Sequence, residues 1–359
     1  MSQPTDSSVG ELELIVTALV GLARDRGATT AQRETLGGIW AELQAATLAQ
    51  ATSPELHRRA TSLASELLGI DALLAPANAP YGGFWQEAEA ASEHSTVAAP
   101  PTTGEIQRDE VQGFVADGAP SWAELAARGL TGSLAFRDAC EVIEELARVV
   151  APGPYLQTVA VLPALPAEER ERVASGESSW ALATGPLVLD LDTATSVAIV
   201  AGDGIFELVG AERELLATRD QTRPLGVVVG GDAGRRLGDS TSLPLIRRRL
   251  LVGLAFEALG VIGAIDSGAG HAARTLADHA ARLVDADHPD AESLAVAAKA
   301  VAADLASDVS AAALAAAPNG APPRLGALQE RARFVRVWEA APAQLRTELG
   351  ETLLAGAAE

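Results

Sequence analysis

The sequence predicts a mainly helical protein with a small β-rich module in its middle. Hydrophobic residues make up 48% of the 359 positions but aromatics only 4%, so the cores must be built from Ala, Leu and Val. Helices accept that composition better than sheets, which favour β-branched and aromatic residues. Helical apolar periodicity runs on both sides of a stretch rich in short Val-containing runs and Gly turns. At this length the chain also exceeds one ordinary domain.

The first helix follows a capping-box spacing, Ser8 to Glu11, and places Leu12, Ile15, Val16, Leu19, Leu22 and Ala23 at helical intervals until Gly27. A second starts near Thr30, with Leu36, Ile39, Trp40 and Leu43 on one stripe. A third opens at Ser53-Pro54-Glu55, carries Leu56, Ala60, Leu63 and Leu67, and closes at Gly69. Three amphipathic helices with short joins read as a bundle. Prolines and glycines then break the pattern up to Pro120, apart from one short helix over 105–115. Ser121-Trp122-Ala123-Glu124 is a second capping box. Residues 135–150 read as a helix with Val142, Ile143, Leu146 and Val149 inward and Glu141, Glu144, Glu145 and Arg148 mostly outward.

Beyond Pro154 the residues 181–189, 196–201, 205–209 and 225–229 are strand-like, with Gly202-Asp203-Gly204 as a turn. Helices return over about 245–265, 270–285 and 290–316, and one or two more follow the Pro318–Pro323 break.

Composition excludes several functions. A net charge of −21 argues against nucleic acid and against an anionic membrane surface, both of which need a basic face. No run of about 20 apolar residues predicts a membrane span, and no basic n-region with an apolar stretch predicts a signal peptide, so the expectation is a cytoplasmic protein. The single cysteine, Cys140, rules out an internal disulfide and a cysteine metal cage. The five histidines form no metal motif; His271 and His279 share a helix face and read as solvated polar residues. Lys299 is the sole lysine.

Most chemical candidates reduce to ordinary elements. Gly230-Gly231-Asp232-Ala233-Gly234 matches neither phosphate-loop pattern and reads as a plain loop, and Ser267 lacks the GxSxG setting of a nucleophile. Glu141, Glu144 and Glu145 read as a solubilising face, and Arg247-Arg248-Arg249 as local ion-pair partners. Thr102-Thr103-Gly104-Glu105-Ile106-Gln107-Arg108 differs: small hydroxyl residues and a glycine before a helix can present N–H and O–H groups to an anion. The same residues also suit an ordinary helix cap.

Thr102–Arg108 resembles the GT-x-E/Q-I-Q-R signature near the C-terminus of acyl-CoA dehydrogenases. These flavoproteins oxidise the Cα–Cβ bond of acyl-CoA thioesters. Residues 33–43 and 55–69 resemble the C-terminal four-helix domain of that family. Residues 122–126, 129–132, 142–148 and 151–156 resemble the N-terminal helical domain of actinobacterial members, and Asp220-Gln221-Thr222-Arg223 the end of the middle β-domain. Residues 258–260, 276–278 and 297–300 resemble successive C-terminal helices. The resemblance thus implies two family pieces in one chain. Residues 8–117 are similar to a C-terminal helical domain, and a shortened second member follows as 118–156 (N-terminal helical segment), 157–240 (β-rich middle domain) and 243–355 (C-terminal bundle).

The resemblance implies a flavin-linked dehydrogenase acting on acyl-CoA within a homo- or hetero-oligomer with another such subunit. It makes FAD the expected cofactor and Thr102, Thr103, Glu105, Gln107 and Arg108 its expected holders. Several family features are nonetheless missing. No Pro-Glu-x-x-Gly-Gly lies between Gly132 and Val142, and residues 180–185 replace the Thr-Glu-Pro flavin loop. The Arg-x-x-Phe-Gly segment is deleted between Gly260 and Leu276. Pro318-Asn319-Gly320-Ala321 stands for a Gly-Gly-x-Gly turn, and Pro101 replaces a catalytic glutamate. Removing an α-proton requires a positioned carboxylate and a hydride acceptor, and the second piece assigns no residue to either. The alternative expectation is therefore a non-catalytic partner subunit, with flavin and base supplied by a companion chain. No catalytic residue and no metal ligand is assigned.

Overall fold

A computed structural model describes residues 16–63 in part, 108–115, 118–132, 134–317 and 322–356. The helices with stated bounds are α1 (Thr30–Leu48), α2 (Arg108–Val115), α3 (Trp122–Ala127), α4 (Phe136–Arg148), α5 (Tyr155–Val161) and α6 (Ala167–Ala174). After the strands come α7 (Leu243–Ile265), α8 (His271–Asp285), α9 (Ala291–Ala315), α10 (Pro323–Val337) and α11 (Pro342–Gly356). Helical residues are also described between 16 and 24 and between 56 and 63.

The expected mainly helical architecture with a small β module is the one observed. Val16, Leu19, Leu36, Ile39, Leu43, Leu56, Ala60 and Leu63 form one compact core, as their spacing predicts. The Ser121–Glu124 capping box is present in both directions. Helix α9 is buried nearly all round through Ala295, Ala297, Ala298, Ala302, Ala303 and Ala306, the mark of a central helix. Helix α7 meets α4 and α5 closely because Gly253 and Gly260 leave room: a methyl group at either would collide with Leu156 or with the Glu144 carbonyl. Likewise Gly37 of α1 and Gly350 of α11 bring those helices into backbone contact, each facing the other helix's main chain at Arg346 or Arg33.

The β module holds two sheets, ordered β1-β3-β4-β7 and β2-β6-β5. Their strands are β1 (Trp180–Ala183), β2 (Val188–Leu189), β3 (Ser196–Ala201), β4 (Gly204–Val209), β5 (Glu212–Leu216), β6 (Leu225–Val229) and β7 (Asp232–Asp239). Among the described strands, only β1 and β3 pair in parallel. Ala181, Ala183, Val188, Leu191, Ala194 and Val197 fill the space between the sheets.

Four expectations need correcting. The single strand over 181–189 is two strands in different sheets, because Gly185 and Pro186 interrupt the ladder and proline has no N–H to give it. Helices α5 and α6 and strands β5 and β7 are additional to the expected elements: α5 is buried on every side, and β5 is exposed along its length with charged residues. Glu141, Glu144 and Glu145 do not face outward; all three are buried. His279 is also buried, and desolvation, against the pull of Asp278, holds its imidazole below the ordinary value, whereas His271 is exposed.

The glutamates are tolerated inside because arginines meet them. Arg274 contacts both oxygens of Glu141 at 2.8 Å and pairs with Glu144, while Arg148 reaches Glu145 at 2.9 Å and Glu144 at 3.3 Å. Buried charges of this kind require partners. The start of α4 has no local cap; Asp285, at the end of α8, accepts from the Phe136 and Arg137 amides at 2.8 and 2.9 Å.

Candidate functional site

Two places concentrate polar chemistry. The first is a buried hub joining the β module to the helices. Arg223 binds both oxygens of Glu257 on α7 (3.0 and 2.6 Å), Asp190 at 2.5 Å and the Gly153 carbonyl at 3.2 Å. Arg331 on α10 binds Asp220 at 3.0 Å, Glu257 at 2.7 Å, the Thr222 hydroxyl at 2.6 Å and the Ala151 carbonyl at 3.3 Å. Three carboxylates thus share two guanidiniums, every one of them buried. Burial would raise Glu257, but Arg223 and Arg331 outweigh it and hold that carboxyl below its usual range. Asp190 takes the opposite course. Burial, aided by Glu257 and only partly offset by Arg223, lifts it to about 7, and its Oδ1 has no hydrogen-bond partner. Beside the hub lies a cavity of about 40 Å³ lined by Trp122, Tyr155, Arg223, Glu257 and Arg331, room for little more than water.

The second place is a cleft of about 730 Å³ between the β module and the bundle, within the size range of small-molecule sites. Thr184, just after β1, lines one side. The opposite wall is the start of α7 (Leu243, Pro244, Ile246, Arg247, Arg248 and Leu250), with Pro289, Glu292 and Glu339 completing it. The lining is mostly apolar. Arginines near a helix start oppose the helix dipole and so call for carboxylates. Arg247 pairs with Glu292 and with Glu348 at 2.7 Å, and Arg248 with Asp287 at 3.2 Å and Glu292 at 3.8 Å. Those two bear out the ion-pair expectation. Arg249 does not: it lies over the Phe136 ring at 4.9 Å and donates to the Val159 carbonyl at 3.2 Å.

Glu339 stands apart. It holds a left-handed backbone conformation (φ 64°) between α10 and α11, and its carboxyl makes no hydrogen bond or ion pair among the described residues. Residue 339 is open to the cleft, yet burial raises its carboxyl above the ordinary value against the pull of Arg247 and Lys299.

Of the expected cofactor residues, Thr102, Thr103, Glu105 and Gln107 lie outside the described residues, and Arg108 is described only as the first residue of α2. The stretch 180–185, which stands where the family's flavin loop is expected, does reach the cleft through Thr184. Asp220, Thr222 and Arg223, matched to the end of the middle domain, meet the 151–153 segment in the hub. Of the other hub residues only Glu257 carries a local signal, a charge within an apolar helix stretch; Arg331 sits among the other charged residues of α10, and Asp190 simply follows β2. Of the Gly230–Gly234 stretch expected to be a loop, Gly230 and Gly231 form a turn, both at positive φ, but Asp232, Ala233 and Gly234 already belong to β7; Ser267 lies in the α7–α8 connection. Cys140 is a buried free thiol, raised by desolvation. Among the described residues no group of His, Cys, Asp and Glu could hold a metal ion, and no helix is long and apolar enough to cross a membrane.

No protein-family model and no curated protein matches the sequence. Solved structures do. A variant of the steroid ACAD Tcur3481-Tcur3483 superposes with a TM-score of 0.59 at 19% identity, covering 70% of this chain and 99% of that one. The chain has the acyl-CoA dehydrogenase fold. Butyryl-CoA dehydrogenase from Megasphaera elsdenii gives 0.56 at 14% identity over 72% of this chain and 100% of its own. An acyl-CoA dehydrogenase from Geobacillus kaustophilus gives 0.56 at 14% identity, over 70% and 97%.

An acyl-CoA dehydrogenase fold makes FAD the group to test against the cleft. FAD carries a pyrophosphate, which needs unpaired donors or cations. The lining guanidiniums, Arg247 and Arg248, are already taken by Glu292, Glu348 and Asp287, and Glu339 adds a further acidic group. The described lining does not fit a dianion.

Proposed function

We propose that this chain is the non-catalytic partner subunit of a heteromeric acyl-CoA dehydrogenase-like assembly, keeping the fold while a companion chain supplies flavin and base. The pairing of both cleft guanidiniums with carboxylates carries this reading, because it leaves no described cation there for a cofactor phosphate. The loss of the Thr-Glu-Pro loop and of the glutamate position taken by Pro101 supports it. So does the two-component name of the Tcur3481-Tcur3483 protein. The division into 8–117, 118–156, 157–240 and 243–355 belongs to the same proposal, the first piece being a helical addition to a shortened subunit.

The test is expression of the full chain alone and with a complete acyl-CoA dehydrogenase encoded beside it. Alone, it should purify without flavin absorbance and reduce no dye with acyl-CoA. With the companion, the two should co-purify and the flavin content should equal that of the companion. Flavin on the isolated chain, with acyl-CoA-dependent dye reduction, would restore the dehydrogenase reading. Failure to associate with any such companion would also reject the proposal.

A further inference from the structure

The cleft offers an apolar floor of Leu243, Ile246 and Leu250, and one acid without a partner, Glu339. Its cations are neutralised: Arg247 by Glu292 and Glu348, Arg248 by Asp287 and Glu292. Lys299, the remaining cation near Glu339, is buried and spends its ammonium on the carbonyls of Arg336, at 3.1 Å, and Ala340. Two guanidiniums therefore face four carboxylates in and around the cleft: Glu292, Glu339, Glu348 and Asp287. A phosphate or carboxylate entering this field meets repulsion from the surplus acids, and both guanidiniums already hold carboxylates. A cation meets the reverse, because the exposed Glu339 carboxylate, without a hydrogen bond or ion pair among the described residues, can accept a charge-assisted hydrogen bond from it.

We propose that the cleft binds lipophilic ammonium compounds, with the apolar body on α7 and the ammonium on the Glu339 carboxylate, and that it rejects acyl-CoA and other phosphate-bearing ligands. The ammonium supplies the hydrogen-bonded partner Glu339 lacks, and the hydrocarbon covers Leu243 and Pro244, the lining residues that still face water beside the buried Ile246 and Leu250. Thr184, across the cleft, offers a hydroxyl to a second N–H of the same group. This inference shares the cleft charges with the partner-subunit reading but requires no companion chain.

The experiment is calorimetric titration of the full chain with dodecylammonium, dodecanol, dodecanoate and dodecanoyl-CoA, all below their micelle concentrations. Dodecylammonium should bind at one saturable site. Dodecanol should bind more weakly, and the two anions should not bind measurably. Glu339→Gln keeps the size of the side chain and removes its charge, so it should weaken the ammonium ligand by about tenfold or more, the worth of one charge-assisted hydrogen bond. Asp203→Asn, an exposed acid outside the cleft, should change nothing and controls for adsorption to an acidic surface. Equal or tighter binding of dodecanoate or dodecanoyl-CoA would overturn the proposal, as would an unchanged affinity in Glu339→Gln. Neither result on dodecylammonium bears on co-purification with a flavin-carrying companion, so the two readings fail separately.

Discussion

Arg331→Met tests the hub most severely. The substitution keeps an unbranched side chain but removes donors to Asp220, Glu257, Thr222 and the Ala151 carbonyl from a residue that is 1% exposed. Arg223 is then left as the one guanidinium against the carboxylates of Asp190, Asp220 and Glu257. Removing one partner from a buried ion pair costs about 3–5 kcal/mol, because the abandoned charge stays desolvated. Asp220 loses its guanidinium outright and Glu257 is left with Arg223 alone, so a loss within that range is expected. The assay is urea unfolding at neutral pH followed by tryptophan fluorescence and far-UV circular dichroism. Arg333→Met, two residues away in an exposed pair with Glu330, should leave the midpoint unmoved. Adding Asp220→Asn to Arg331→Met should recover part of the loss, because it withdraws one of the stranded charges. A loss below about 1 kcal/mol for Arg331→Met would refute the view that this hub fastens the β module to the bundle.

Asp190 is raised to about 7 in the fold and should titrate near 4 when unfolded. Between those values the folded state binds the extra proton, so this group's contribution to stability is full below about pH 4 and falls as pH rises to about 7. Unfolding free energies measured across that window should decline less steeply with pH in Asp190→Asn than in the unmodified protein; parallel curves would contradict the assignment. Lys299 is fully buried, so an amine-reactive ester should modify only a chain-terminal amine until denaturant opens the bundle, as intact mass will show. Early modification of Lys299 in the native protein would refute its burial. Gly350→Leu should drive α1 and α11 apart, lowering the stability of the helices that share the Leu36–Leu63 core more than that of α7 and α9. Hydrogen exchange that rises equally in all of these helices would count against a local contact.

Local signals reached some elements and not others for definite reasons. The helix over 135–150 was legible from its apolar spacing, yet its glutamates were assigned to the wrong side. Amphipathic reasoning places charge outside unless a partner is known, and Arg274, which meets Glu141 and Glu144, lies more than a hundred residues further on. Helix α5 has no local signature, because it is buried all round and follows two prolines and so shows neither an amphipathic period nor a polar cap. Asp220-Gln221-Thr222-Arg223 was visible as a motif, but its place in a buried ion network was not.

The sequence by itself determined that the chain would be mostly helical, where most helices begin and end, and that a small β module would interrupt them. Those properties follow from periodicity, capping and composition, which are set by residues within a few positions of one another. Only the tertiary structure decided that acids at 141, 144 and 145 would lie inside, that Arg223 and Arg331 would share three carboxylates, and that the cleft cations would be neutralised. Each of these depends on which distant side chain occupies the adjoining space. A charge has no fixed worth until its surroundings set how much water it loses and what it meets in return.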